Sequence, residues 1–529
     1  MVGVDKKWWT LIVVGAGTFM LLLDVTIVVV ALPNIQTALH ASFSDVQWVI
    51  DAYALTLASL LLTTGVLADR YGRRLLFAIG LCVFTLGSLT CGLAQSPLML
   101  ILSRSGQGIG GAIMFSTSLA LLGQSFRGKD RGVAFGVWGA ITGVAVSLGP
   151  ILGGAITTEI SWRGIFLVNV PVGIAALVLT LGRVEESRAP HAGLPDWVGF
   201  GLLTAGLVGV VYGLIRASET SWGNSGVIAC LTVGGALIVA FVLAELRVSE
   251  PMFDLSLFRT PTFTGGLVAA FTMNGSLFAL YLYLVLYLQD ILHYSALATG
   301  LRLLVSTGAL FVTAVISGRL SERVPIRLLI GPGLTLVGVG LLTMTGLSGT
   351  SSWTHLLPGL VISGLGAGLV NPPLASTAIG VVAPERAGMA SGVNSTARQV
   401  GFATAIAAYG TIFLSAFRRH LTQSLAATPT LARRSHTVAT AVRQGSVSHI
   451  LAATPPDLRG QLEGAIRAAF AHGIDDLAIV SGAVALLGAL GAFALIRSKD
   501  FVHRQQPDAP PPQQPETGDG FASQPATAA

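Results

Sequence analysis

Three ionisable side chains stand where charge is hard to accommodate. Asp24 lies inside an apolar run covering residues 8–32, Asp51 within Trp48-Val-Ile-Asp51-Ala-Tyr53, and Arg104 within Leu102-Ser-Arg104-Ser-Gly-Gln107-Gly108. A carboxylate in an oily segment is tolerated when it is paired, hydrated or protonated. A group that alternates between those states takes up and releases protons. If the three segments are helices ending near Pro33, Ser44 and Pro97, a rise of about 1.5 Å per residue puts all three groups roughly 10–14 Å deep. Arg104 is therefore expected to pair with Asp24 or Asp51, and protonation of the carboxylate to release it. The competing readings are a static Arg104 ion pair, an Asp24 paired for structure alone, and an Asp51 wetted near its helix end.

A second constellation is Gly65-Val-Leu-Ala-Asp69-Arg70-Tyr-Gly72-Arg73-Arg74. Its glycines permit a tight turn, and its carboxylate and guanidiniums can form ion pairs that break when two faces rearrange. A third is Gly136 followed by Leu148-Gly149-Pro150-Ile-Leu-Gly153-Gly154. Proline inside a helix removes a hydrogen bond and bends the chain, and glycines four apart let a neighbour pack against the bend. Tyr53, Asn274, Phe278 and Arg398 are candidates to line a cavity. Arg398, inside Asn394-Ser-Thr-Ala-Arg398-Gln-Val-Gly401, could instead snorkel towards the membrane surface. Tyr281, Tyr283 and Tyr287 fit an aromatic belt at the interface.

The elements that must position these groups follow from composition. Of 529 residues, 52% are hydrophobic and 11% charged, where soluble domains carry about 25% charge. The 64 glycines suit helices packed closely in lipid. Spans of roughly 17–25 apolar residues are expected at 9–32, 46–66, 75–95, 98–122, 132–157, 164–182, 197–216, 225–246, 262–288, 297–317, 327–347, 355–376, 390–416 and 474–496. Lys and Arg concentrate in alternate short loops, which puts both termini in the cytoplasm. Residues 417–473 read as a long outer loop, with Pro455-Pro456-Asp457 before Leu458, Leu462, Ile466 and Phe470 marking a capped amphipathic helix. Residues 498–529 read as a disordered cytoplasmic tail. The first apolar run is too long for a signal core and is expected to stay as a membrane helix. Cys82, Cys91 and Cys230 all lie in apolar runs, which leaves neither a disulfide framework nor a metal site. The net charge of +6 is explained by topology rather than nucleic acid.

The spacing of Gly65, Leu67, Asp69, Arg70 and Arg74 recurs as Gly318, Leu320, Glu322, Arg323 and Arg327. The chain therefore divides into a six-helix bundle at 1–183, two inserted helices at 184–261 and a second six-helix bundle at 262–497. Transporters built from parallel repeats bind substrate between the halves.

The 65–74 segment resembles the signature loop of the major facilitator superfamily. The run around Pro150 is similar to the antiporter signature of its drug-export branch, with Ala145 where that pattern has a glycine. Leu23-Asp24-Val-Thr26-Ile-Val-Val29-Val-Ala-Leu-Pro33 resembles the first-helix pattern of fourteen-helix drug:proton antiporters, with Val29 where that pattern has asparagine. The resemblance implies an all-α polytopic membrane protein of the major facilitator fold with 6+2+6 transmembrane helices. It also implies that Asp69, Arg70 and Arg73 latch the cytoplasmic side in the outward-open state.

The function this implies is proton-coupled export of hydrophobic or cationic compounds by a monomer in the inner (plasma) membrane. An exporter of lipid or endogenous amphipathic metabolites is the nearer alternative, and a transport-inactive membrane sensor or scaffold the more distant one. No Walker loop, nucleophile elbow or His/Cys metal cluster is present in the sequence. The expectation is no enzyme and no cofactor, with an ion gradient as the energy source.

Overall fold

The computed structural model describes residues 5–41, 43–188, 196–248, 253–321, 323–383, 386–426, 438 and 454–501. All regular structure among them is helical. The helices are α1 (Lys6–Leu39), α2 (Phe43–Tyr71), α3 (Arg73–Gly92), α4 (Pro97–Ser125), α5 (Gly128–Glu159), α6 (Gly164–Leu167), α7 (Asn169–Arg183), α8 (Trp197–Glu219) and α9 (Ser225–Glu245). They continue with α10 (Pro261–Met273), α11 (Ala279–Leu286), α12 (Ala296–Leu320), α13 (Arg327–Leu342), α14 (Leu357–Gly380), α15 (Ala387–Leu425) and α16 (Pro456–Leu495).

Twelve of the described helical stretches are long and apolar enough to cross a bilayer, and α5, bent by 43°, makes a thirteenth. The remaining expected span, 327–347, is the shorter α13, whose sixteen residues include Pro332. Large apolar side chains face outward on many of these helices, among them Val178, Val233, Leu487 and Leu490. Exposed apolar surface on this scale has lipid as its natural solvent.

Three boundaries differ from the sequence-based expectation. The span at 164–182 is broken after Leu167, because Pro171 has no amide hydrogen to donate to the carbonyl four residues back. The span at 262–288 is interrupted by wide, one-turn segments at Asn274–Phe278 and Tyr287–Ile291. The stretch taken as an outer loop is helical at both ends, since α15 runs on to Leu425 and α16 starts at Pro456. Leu421, Leu425, Leu462, Ile466 and Phe470 are buried there, and Phe470 packs on Phe413 with ring centroids 4.7 Å apart. The apolar spacing after Pro456 thus continues the last span as a single helix, with no side-chain cap at its start. Residues 427–437 and the tail beyond 501 lie outside the described residues.

In the first half, α4 packs on α2 and α3, while α1 packs on α5 and α7. In the second, α14 packs on α12 and α13, and α16 on α10, α13 and α15. The α8–α9 hairpin pairs with itself and leans on α2 and α15. Two seams join the halves, α5 against α12 and α2 against α15. Each is set by a glycine of the repeated motif. A Cβ on Gly65 would lie 2.4 Å from the Gly388 carbonyl oxygen, and one on Gly318 would lie 2.3 Å from that of Gly132. The sequence repeat is therefore also a repeat of cross-half contacts. Glu322, its second acidic member, lies outside the described residues.

Candidate functional site

Two of the three charges, Asp24 and Arg104, form a buried pair. Asp24 and Arg104 are withdrawn from solvent, 0% and 1% exposed, and the Arg104 Nη1 group is ion-paired with Asp24 Oδ2. Five helices, α1, α2, α3, α4 and α7, meet at this site. Gln107 Nε2 donates to Asp24 Oδ1 at 2.8 Å and to Ser88 Oγ at 2.8 Å, while its Oε1 accepts from Arg104 Nη1 at 2.7 Å. Asn169 Nδ2 donates to Asp24 Oδ1 at 3.3 Å. Arg104 Nε donates to the Val49 carbonyl at 3.0 Å. The Tyr53 ring covers the guanidinium, 4.2 Å from its central carbon. Asp51 is half-buried, and among the described contacts the carboxylate that Arg104 meets is Asp24.

Such a network holds a charged pair in a dry interior by satisfying nearly every donor and acceptor. Gln107 was visible in the Arg104 motif but carried no assigned role. Ser88 and Asn169 were missed, although Asn169 is an amide in an apolar span two residues before a proline. Tyr53, expected in a substrate cavity, belongs to this charge site.

At the opposite end of α2 the motif loop builds a clasp. Asp69 is buried and accepts from Arg73 Nη2 at 2.7 Å and Arg73 Nε at 2.9 Å. It also accepts from the backbone amides of Gly388 at 2.8 Å and Met389 at 2.7 Å. One carboxylate thus closes an ion pair within the first half and caps the start of α15 in the second. Arg73 Nη1 reaches Gln124 Oε1 at 2.9 Å. Gly72 turns the chain at φ 119°, and the Glu186 carboxylate accepts from the amides of Arg74 and Leu75 at 3.1 and 3.0 Å. Arg74 donates to the Val184 carbonyl. Arg70, expected in the latch, lies instead over the Tyr71 ring. Its motif position does not put its side chain at the seam.

The bend in α5 serves both neighbours. Gly136, below it, faces α12, where a Cβ would lie 3.1 Å from the Ala314 oxygen. Gly149 and Gly153 face α1, where a Cβ would lie 1.8 Å from Thr26 Oγ1 and 2.9 Å from the Ile27 oxygen respectively. The bend lies between the segments ending at Val146 and starting at Ile151, across Pro150. Gly154 is half-buried. The flexible point of α5 therefore rests two residues from Asp24.

The other cavity candidates do not form one group. Asn274 donates to the Ala270 carbonyl at 3.0 Å and opens the wide turn that Phe278 closes; Phe278 packs against the second-half core. Tyr409 donates to the Gly275 carbonyl in that turn at 2.7 Å. Tyr283 and Tyr287 are buried and Tyr281 hydrogen-bonds Ser306, so these tyrosines are interior packing rather than an interfacial belt. Arg398 does not snorkel. It is 6% exposed and donates from Nη1 to Asn371 Oδ1 at 3.1 Å.

A bundle of lipid-facing helices in two halves, with its charges buried at the contacts between helices, is the architecture of a multi-pass membrane transporter. The chain belongs to the Major Facilitator Superfamily, whose family model matches residues 14–406. It is 36% identical over 404 residues to the multidrug resistance protein Stp of Mycobacterium tuberculosis, covering 76% of this chain and 75% of that one. It is 34% identical over 525 residues to the tetracenomycin C resistance and export protein of Streptomyces glaucescens, covering 96% and 94%. It is 36% identical to the puromycin resistance protein pur8 of Streptomyces alboniger, covering 79% and 84%. Among solved structures, the human organic anion transporter MFSD10 superposes with a TM-score of 0.61 at 15% identity, over 92% of this chain and all of that one. That likeness speaks to the fold alone.

Proposed function

We propose that this chain is a proton-coupled antiporter that exports amphipathic small molecules across the plasma membrane by alternating access, with both termini cytoplasmic. The relatives named for drug resistance and export support the cargo class. The observation that carries the coupling is the Asp24–Arg104 pair, buried and ringed by Gln107, Asn169 and Ser88.

A proton arriving at Asp24 cancels the charge that holds Arg104. The guanidinium keeps Gln107, the Val49 carbonyl and the Tyr53 ring, so it has somewhere to stay while α1 is released. Released α1 slides against the glycine-lined bend of α5, and the seam between the halves is free to change. The Asp69 clasp is closed in the described conformation. On this reading a closed clasp belongs to the outward-facing carrier. Proton binding then favours opening of the clasp, proton loss to the cytoplasm and substrate loading, and the loaded carrier returns.

The test is efflux into inverted vesicles under an imposed pH gradient, comparing wild type with Asp24→Asn. Gradient-driven transport is expected to fall at least about a hundredfold, the size expected when a proton-transfer group is removed. Full retention by the variant would remove Asp24 from the coupling step.

A further inference from the structure

The second half holds a cluster that the proton site does not use. Ser391, Asn394, Ser395 and Arg398 lie on one stripe of α15, at intervals of three and four residues, and Asn371 of α14 faces them through its bond to Arg398. All five side chains are at most 6% exposed. Yet Nε and Nη2 of Arg398, Nδ2 of Asn371, both polar atoms of Asn394 and the hydroxyls of Ser391 and Ser395 have no hydrogen-bond partner among the described residues. Buried polar groups are nearly always paired, so a concentration of orphans calls for a missing partner. A buried guanidinium without a carboxylate is the most costly of them. Contrast Arg104, which at equal burial has an acid, an amide, a carbonyl and an aromatic face.

Donors dominate the inventory. Arg398 offers only N–H groups and carries a full positive charge, the two amide nitrogens add more, and the hydroxyls can turn either way. The complement of this set is an anionic oxygen group, which a planar guanidinium grips through two parallel bonds. The cluster also lies at the seam where such a group would have to arrive. Gly392, within the stripe, backs on Leu61 and Leu62 of α2, and Asn371 faces Gly139 of α5. Ser391 is two residues beyond Met389, whose amide Asp69 holds. Opening the clasp therefore uncovers the cluster from the α2–α3 side.

We propose that Arg398, Asn371, Asn394, Ser391 and Ser395 form a substrate subsite for a carboxylate or similarly acidic oxygen group on an otherwise apolar compound. Resting on the exporter reading above, this narrows its cargo: the charge chemistry selects amphipathic acids, where the sequence led to an expectation of hydrophobic or cationic compounds.

The test is binding of dansylaminoundecanoate and its methyl ester to purified full-length protein, read by dansyl fluorescence at fixed pH without a gradient. Wild type is expected to bind the acid at least about tenfold more tightly than the ester, as loss of one charged hydrogen-bonding partner implies. Arg398→Gln should bind the two alike, and Arg398→Lys should retain part of the preference. Competition supplies a readout that needs no variant: undecanoate displaces the bound acid and undecanol at equal concentration does not. Equal affinity of wild type for acid and ester, no binding of the acid, an unaltered preference in Arg398→Gln, or equal displacement by the alcohol would each overturn the assignment. Coupling through Asp24 is read from gradient dependence and this subsite from affinity at equilibrium, so either can fail without the other.

Discussion

At the scale of single residues, Gln107 decides how Asp24 behaves. Among the described residues it is the side chain that hydrogen-bonds both members of the pair, donating to the carboxylate and accepting from the guanidinium. Gln107→Leu keeps the volume and removes both bonds, leaving Ser88 without its donor and Asp24 with Asn169 and Arg104 alone. The expected cost is about 1–3 kcal/mol, the usual penalty for stranding buried polar groups, measurable as a lower melting temperature in detergent. Gradient-driven efflux into inverted vesicles should fall as well, because the variant loses the one amide that ties carboxylate to guanidinium. Unchanged efflux would mean that Gln107 is packing only.

At the scale of elements, the clasp between α2 and α15 is the part most open to test. Asp69 ties two backbone amides of α15 to an arginine of α3, while Gly65 and Gly388 bring the backbones into direct contact. Asp69→Asn removes the negative charge that faces the buried Arg73 guanidinium, a change that costs about 3–5 kcal/mol for buried pairs. Amide hydrogen exchange at Gly388 and Met389 should accelerate by at least about tenfold, since opening free energies set exchange rates. Unchanged exchange would mean that the seam holds without the carboxylate. A peripheral tie behaves differently. In the segment after α9, Asp254 is partly buried, which by itself would raise its pKa, yet hydrogen bonds from Ser256 and the Arg386 guanidinium hold the carboxyl below its usual range. A folded value below the unfolded one gives stability above the unfolded value, lost as pH falls through the folded one. Between about pH 5.5 and 8 the contribution is therefore flat. Arg386 is 53% exposed, so Asp254→Asn should cost no more than about 0.5 kcal/mol, with the same melting shift at both ends of that range.

At the scale of the whole molecule, the two seams are related by the internal repeat. Gly65 presses on α15 and Gly318 on α5, so each half offers the glycine of its motif to the other. The α5–α12 contacts run from Gly132 and Gly318 to Ile151 and Gly300, most of the length of α12, which makes this seam the natural pivot. If protonation of Asp24 favours opening of the clasp, Asn at that position mimics the proton-loaded carrier. Spin labels at Tyr71 and Arg386, at the two sides of the clasp, should then show a longer distance population in Asp24→Asn than in wild type. An unchanged distribution would uncouple the proton site from the seam.

Much of this was legible in the chain itself. Twelve apolar spans declare themselves by length and composition, because a bilayer sets a fixed ruler for any helix that crosses it. The glycine and proline motifs and the two buried charges in α1 and α4 were likewise readable, since a charge in an oily segment stands out from its neighbours. Side-chain direction was not. Asp24 rather than Asp51 meets Arg104, Arg70 turns out of the clasp, and Asn169, Asn371 and Asn394 reach buried clusters only because α7, α14 and α15 are set at particular rotations. Depth in a membrane follows from counting residues along one helix; which groups face each other depends on how the helices pack, and that is decided by contacts far apart in the sequence.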